Sequence, residues 1–223
     1  MTSEITVITT PFMLNVSVNC YLVKTGDGYI LIDTGMPRKR SAIEATIENA
    51  GCRPGNLKLI MLTHGDLDHC GNAAYFRKKF GTKVAMHEGD SGMVEYGDMF
   101  WNREKPNILV RKMLGIFMGL SKSRRFKPDL YLEAGDDLSA YGFDATVLHI
   151  PGHSQGSIGI LTAGGDLFCG DLLANTDKPD IWSIMPDEAA AGASVEQLKD
   201  LAINTVYPGH GKPFSMQQFV GAA

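Results

Sequence analysis

From Thr63 to Asn72 the chain reads Thr-His-Gly-Asp-Leu-Asp-His-Cys-Gly-Asn, so His64, Asp66, Asp68 and His69 fall within six positions. Imidazole together with carboxylate is a ligand set for zinc, iron or manganese. The competing reading is a polar helix start, with Asp66 and Asp68 favouring the helix N-terminus and both histidines facing solvent. Ligands elsewhere in the chain decide between the two. His153 follows Pro151-Gly152, Asp171 follows Gly170, and His210 follows Pro208-Gly209. Each alone reads as an ordinary turn residue, but their recurrence does not. Asp33, before Thr34-Gly35, is a turn residue or a support for ligands. Cys70 adjoins the cluster, where a small apolar role is favoured over a reactive thiol.

Every one of these candidates stands just after an apolar strand. The run 57–62 delivers the first stretch, 143–150 leads to His153, the hairpin 158–169 leads to Asp171, and 204–207 leads to His210. Upstream, alternating apolar residues within 5–32 predict a β-meander turned at Gly26-Asp27-Gly28. Further strands are predicted at 83–87 and 130–132. Helices are predicted over 41–50, with Ser41 as cap and Glu44 completing a capping box, over 73–80, stopped by Gly81, and over 194–201. Strand followed by motif and helix makes an α/β unit, whose strand ends open along one edge where such side chains can meet. Glycine beside the ligands lets the backbone approach closely.

The stretch 91–127 differs in character. Its segment 107–120 is apolar over most of a helical wheel, leaving a narrow stripe of Arg111, Gly115 and Gly119, and Lys122, Arg124, Arg125 and Lys127 follow. A lid, a homodimer surface and a membrane-surface helix are the functional readings. A core-packed helix with a solvated basic tail is the structural one.

With 223 residues the chain fits a single domain spanning 1–223, with 91–127 as a helical insertion. The 44% hydrophobic and 21% charged content excludes disordered and collagenous classes. A net charge of -4 supplies no basic field, so a nucleic-acid partner is disfavoured and a small-molecule substrate expected. Cys20, Cys52, Cys70 and Cys169 form no Cys-x-x-Cys pair, which suits free thiols in a cytoplasmic protein. The first residues lack a secretory pattern, and no apolar run reaches the length of about 18 residues that marks a spanning helix.

Taken together, Asn19 to Val23, Leu31 to Gly35, Thr63 to Gly71, Pro151-Gly152-His153, Gly170-Asp171 and Pro208 to Gly211 make the chain resemble the metallo-β-lactamase superfamily over nearly its full length. The stretch 91–127 is outside the match. The resemblance implies an α/β fold, a four-layer αββα sandwich with two divalent metal ions at one sheet edge. It implies that His64, Asp66 and His153 hold the first ion, that Asp68, His69 and His210 hold the second, and that Asp171 bridges them. Asp33 would support ligands, Asp68 would be the catalytic residue orienting a metal-bound water, and His87 and His149 would be structural.

One position departs from the family pattern. Where His-x-His-x-Asp-His is usual, the second His is Asp66. A carboxylate is harder than imidazole, which moves the first site toward iron or manganese while leaving zinc open. The flavodiiron branch has Glu at this position, a change similar in kind. Counting Asp66, Asp68 and Asp171 against two divalent ions and a hydroxide gives zero charge, one less than with His. That count favours an ester, thioester or lactone over a phosphate ester. The alternatives are a di-iron oxidoreductase needing a separate electron donor, and a non-catalytic metal-dependent binding module in which the 108–120 helix docks on the site.

Overall fold

The computed structural model describes residues 4–13, 16–103, 107 and 119–221. The helix predicted over 107–120 therefore lies almost wholly outside the described residues, and the readings attached to it rest on sequence.

A first sheet contains β1 (Glu4–Met13), β2 (Val16–Thr25), β3 (Gly28–Ile32), β4 (Leu57–Met61), β5 (Lys83–Met86) and β6 (Leu130–Tyr131), hydrogen-bonded in that order. The meander β1–β3 is antiparallel, and Thr25 pairs with Gly28 across the expected two-residue turn. From β3 to β6 the pairing is parallel. A second sheet runs β13-β12-β9-β8-β7, built from β7 (Ala145–His149), β8 (Ile158–Thr162), β9 (Asp166–Gly170), β12 (Thr205–Pro208) and β13 (Phe214–Ser215). A small hairpin, β10 (Leu173–Asn175) and β11 (Pro179–Ile181), lies between β9 and β12 in sequence and was not expected.

Strand residues point to opposite faces with a period of two, and both faces of the first sheet are buried. Cys20, Leu22, Leu31, Ile60 and Leu62 pack on Ile43, Ile47, Phe76 and Phe80 of α1 (Arg40–Asn49) and α3 (Ala73–Phe80). The alternate residues Tyr21, Val23, Ile30, Ile32, Leu59 and Met61 face Val147, Ile158, Ile160 and Phe168 of the second sheet. That sheet's other face, with Leu167, Cys169 and Val206, packs on Val195, Leu198 and Phe219 of α5 (Glu188–Lys199) and α6 (Met216–Val220). Three apolar interfaces thus separate four layers, αββα, as the resemblance implies.

Helix boundaries differ in instructive ways. α3 has the expected limits because Gly81 adopts the left-handed conformation, φ 65°, that ends it. Ser41 lies inside α1 rather than capping it, because a 3₁₀ turn at Pro37–Lys39 has already set the helical direction. α5 begins six residues earlier than predicted, at Glu188, where the Asp187 side chain accepts the Ala190 N–H.

The two sheets meet at their strand ends. Ile158 N–H donates to Thr63 O at 2.9 Å. From β2, the Asn19 amide donates to Pro208 O (3.0 Å) and Gly211 O (2.7 Å), and the Tyr21 hydroxyl also donates to Pro208 O. These bonds tie the loops bearing His64 and His210 to one floor. No helix among the described residues is long and apolar enough to cross a membrane.

Candidate metal centre

The Thr63–Asn72 stretch leaves β4 and enters α2 (Leu67–Cys70), a single turn for which Asp66 supplies the N-cap backbone. Asp66 thus does sit at a helix start, with Asp68 in the first turn, but its side chain caps nothing and the histidines do not face solvent. His64, His69, His153 and His210 are all buried, as are Asp68 and Asp171.

Three loops bring the remaining candidates to the same place. His64, Asp66 and His153 have ligand atoms close enough to share one ion, as do Asp68, His69 and His210, while Asp171 lies between with His64 and His69. Asp66 Oδ2 is 2.8 Å from His153 Nε2 and 3.6 Å from His64 Nε2. Asp68 Oδ2 is 3.5 Å from His210 Nε2 and 3.7 Å from His69 Nε2. Asp171 reaches both groups, with Oδ1 3.3 Å from His69 Nε2 and Oδ2 3.1 Å from His210 Nε2 and 3.9 Å from His64 Nε2. The close approach depends on Gly209, where a Cβ would stand 2.1 Å from Asp171 Oδ1.

Each ring is fixed from its other nitrogen. His69 Nδ1 pairs with Asp33 Oδ2 at 2.8 Å, His153 Nδ1 with Ile184 O at 2.8 Å, His210 Nδ1 with Ser17 O at 2.7 Å, and His64 Nδ1 with Thr63 Oγ1 at 3.0 Å. Acceptors at Nδ1 keep the proton there and present the Nε2 lone pair, which is the outer-shell arrangement of metal-binding histidine. Asp33 holds two ligand-bearing segments at once, since it also accepts the Thr63 N–H (2.9 Å) and hydroxyl (2.8 Å). It does so from a left-handed backbone, φ 58°, a conformation Asp tolerates better than most residues. Its supporting role and its turn role coincide.

The donors fit two ions for a physical reason. His64 Nε2, His69 Nε2 and Asp171 Oδ1 are buried with no hydrogen-bond partner, and leaving such atoms unmatched is costly. All three point into the space the ligand groups share. Zinc, iron and manganese each accept this mixture of imidazole and carboxylate.

Burial dominates the electrostatics and charged neighbours then sort the groups. Burial opposes ionisation of Asp171, but His210 and His69 outweigh it and hold the carboxyl well below its ordinary range. Asp68 moves the other way, raised by burial against the opposing pull of His69. Burial and then His69 push His64 well below 6.5. Burial also opposes the charge on Asp66, yet Arg103 and His153 keep its carboxyl well below the usual range.

Arg103 is one of three residues that the sequence did not single out. It changes the charge count, because its guanidinium bonds both oxygens of Asp66, Nη1 to Oδ1 at 2.7 Å and Nη2 to Oδ2 at 3.0 Å. With that cation included the site regains the one positive charge that Asp66 removes, so the argument against phosphate esters from charge fails. Asp90, fully buried, is the second: it accepts from Gly65 N (3.0 Å), Ser154 Oγ (2.6 Å) and Gly156 N (2.8 Å). It thereby joins the loops of His64 and His153. Its position after a parallel strand, β5, was the available signal. Trp182 is the third, stacked on His210 at 4.5 Å. His87 and His149 stack on each other at 4.5 Å, outside the metal groups found among the described residues. A cavity of about 480 Å³, lined by Asn102, Arg103, Gly152, His153, Gln155 and Pro186, opens on the His153 side.

Comparison with known proteins bears on the same geometry. A family model described as "Metallo-beta-lactamase superfamily" matches residues 14–210. The chain is 27% identical over 219 residues to the acyl-coenzyme A thioesterase MBLAC2 of Bos taurus, covering 90% of this chain and 75% of that protein. It is 33% identical over 121 residues to the hydroxyacylglutathione hydrolase GloC of Haemophilus influenzae, a match spanning 53% of this chain and 50% of that protein. Among solved structures, TTHA1623 in a di-iron-bound form superposes with a TM-score of 0.73 at 27% identity, covering 96% of each chain.

Proposed function

The chain belongs to the metallo-β-lactamase superfamily and carries a binuclear metal-dependent hydrolase site, and from that premise we propose that its substrate is an acyl compound: a thioester first, with esters and lactones as the related class. The observation that carries the hydrolytic reading is the set of buried, partnerless Nε2 and carboxylate atoms turned toward one another. The acyl preference is supported by the relatives named for acyl-coenzyme A and acylglutathione hydrolysis, no longer by a neutral charge count.

On this reading His64, Asp66 and His153 would hold one ion, Asp68, His69 and His210 would hold the other, and Asp171, grouped with His64 and His69, would be available to both. Two divalent ions bound there would lower the pKa of an attacking water and polarise the acyl carbonyl. Asp33 and Thr63 keep protons on the Nδ1 atoms of His69 and His64, so both rings offer Nε2. Asp68, whose Oδ2 lies 3.5 Å from His210 Nε2 and 3.7 Å from His69 Nε2, would be placed to orient that water. Trp182 covers one face of His210 and restricts solvent there, and the cavity beside His153 gives the acyl or leaving group room. Iron is a candidate metal, as the di-iron form of TTHA1623 illustrates for a similar chain. A cytoplasmic location belongs to the same proposal, supported by four buried free cysteines.

The test is a hydrolysis panel of acyl-coenzyme A, acylglutathione, aryl esters, lactones and a phosphodiester, run on protein reconstituted separately with zinc, iron and manganese. Thioesters are expected to be cleaved fastest, with His153→Ala reducing the rate by roughly 100-fold or more through loss of the first ion. A phosphodiester cleaved faster than every acyl compound would overturn the substrate class. An iron protein that reduces oxygen with an added electron donor and hydrolyses nothing on the panel would favour the redox reading instead.

A further inference from the structure

Asp66 is the position at which this chain departs from a third imidazole, and Arg103 is the residue that meets it. The contact is a planar two-bond fork, Nη1 to Oδ1 at 2.7 Å and Nη2 to Oδ2 at 3.0 Å, the arrangement in which guanidinium and carboxylate bind most specifically. The Arg103 side chain is 11% exposed. Its Nε is buried and has no partner, so the side chain is held for its two terminal nitrogens.

The chain delivers this side chain deliberately. Residues 98–103 fold back on α4 (Ser91–Glu95), with Trp101 N–H donating to Asp98 O at 2.9 Å and Arg103 N–H to Phe100 O at 3.2 Å. The Trp101 ring lies so close over Gly92 that a Cβ there would be 2.1 Å from Cδ2. Asn102, at φ 56°, donates its amide to Gly89 O at 2.6 Å. Arg103 Nη1 also reaches Met99 O at 3.3 Å. A left-handed asparagine and a glycine-dependent ring contact thus stand beside an arginine directed at one carboxylate. Apart from Gly89, all of these residues fall in the stretch 91–127, which carries none of the motifs behind the resemblance.

We propose that Arg103 is a positioning residue for the first metal ion, and that Asp66 and Arg103 act as one composite ligand replacing an imidazole. This rests on the two-metal reading above. The fork places one bond on each oxygen, and Oδ2 is also the oxygen turned toward His64 and His153, so the arginine orients Asp66 to offer Oδ2 to an ion that those histidines would share. The pair is neutral overall, so it returns the site to the charge of a three-imidazole ligand set. The hardness that a lone carboxylate would impose is moderated, because the guanidinium draws charge from the donor oxygen.

The two residues are then interchangeable with His only together. The experiment measures metal content and, by competition with a chelator, the affinity of each ion in wild type, Asp66→His, Arg103→Met and the double variant. Asp66→His leaves a buried guanidinium facing an imidazole and a cation, and is expected to weaken the first ion by at least about tenfold. Adding Arg103→Met is expected to restore the affinity to near the wild-type value. Additive losses, with the double variant no better than Asp66→His, would overturn the proposal, because a purely structural arginine gains nothing from being removed.

Arg103→Met alone provides a second reading should Asp66→His fail to fold. The freed carboxylate is expected to move the competition ratio toward manganese or iron over zinc, and an unchanged ratio counts against the composite ligand. Binding of the second ion serves as the internal control. A wild-type protein that takes up no metal at all would refute the two-metal reading itself, a different result from normal uptake with additive variants.

Discussion

Asp33 accepts three bonds from two segments that carry ligands, and a single amide oxygen cannot replace it. Asp33→Asn is expected to lower metal affinity by roughly 10- to 100-fold, measured by chelator competition, while the buried shape is retained. His87 gives a second expectation. Burial and then the stacked His149 hold it below 6.5, opposed by Asp90, Glu133 and Glu88. A depressed folded value means that the unfolded chain takes up the proton first. This contribution to stability is complete above about pH 6.5 and is lost as the pH falls through the folded value. His87→Asn keeps an acceptor for the Gly89 N–H, now 3.0 Å from His87 Nδ1. It should melt with a shallower acid decline than wild type in scans from about pH 7 to about pH 5; parallel declines would assign the effect to carboxylates. At this scale the contiguous motif made His64, Asp66, Asp68 and His69 legible, and proline or glycine after a strand did so for His153 and His210. Arg103 and Asp90 were not legible, because each is defined by a partner 37 or 25 positions away, with no periodicity to announce it.

Among the elements, the glycines separate those needed for approach from those that only cost entropy. Gly209→Ala would drive a methyl into Asp171 Oδ1 and His69 Cε1, so metal content should fall along with thermal stability. Gly192, within α5, has open space around its missing Cβ and no left-handed backbone. Gly192→Ala should therefore stabilise the protein by about 0.5–1 kcal/mol in urea unfolding, with hydrolysis unchanged. A destabilised Gly192→Ala would mean that the Gly192 face of α5 is not open. The helix limits show why some boundaries could be read and others not. Gly81 is a physical stop, whereas the start of α5 is an alanine-rich turn without the branched apolar residues that reveal a helical face. Ser41 and Glu44 have the spacing of a capping box, but Pro37 starts the turn before them. The β10–β11 hairpin is three residues on each side, too short for alternation to be visible.

For the whole molecule, the four layers were legible only through the family resemblance; the residues themselves showed apolar runs feeding polar turns. The fold supplies the physical reason: strands 19–23, 29–32 and 57–62 present two apolar faces, one buried by helices and the other by the second sheet, and the pairing order was visible only there. What binds the layers at the strand ends includes the metal donors themselves. Each ion on the proposed reading takes ligands from both sheets: His64 and Asp66 with His153, and Asp68 and His69 with His210. The bonds from Asn19, Tyr21 and Ile158 run between the same loops. The exposed link at Glu133 and Ala134, between β6 and the segment that pairs with β7, is then a natural place to cut the chain. Two separately made fragments, 1–134 and 135–223, would each own half of every coordination sphere. Their reassembly becomes an ion-dependent event, co-eluting in gel filtration with metal present and parting when a chelator is added. The centre would thus serve as a removable rivet between two halves of one polypeptide.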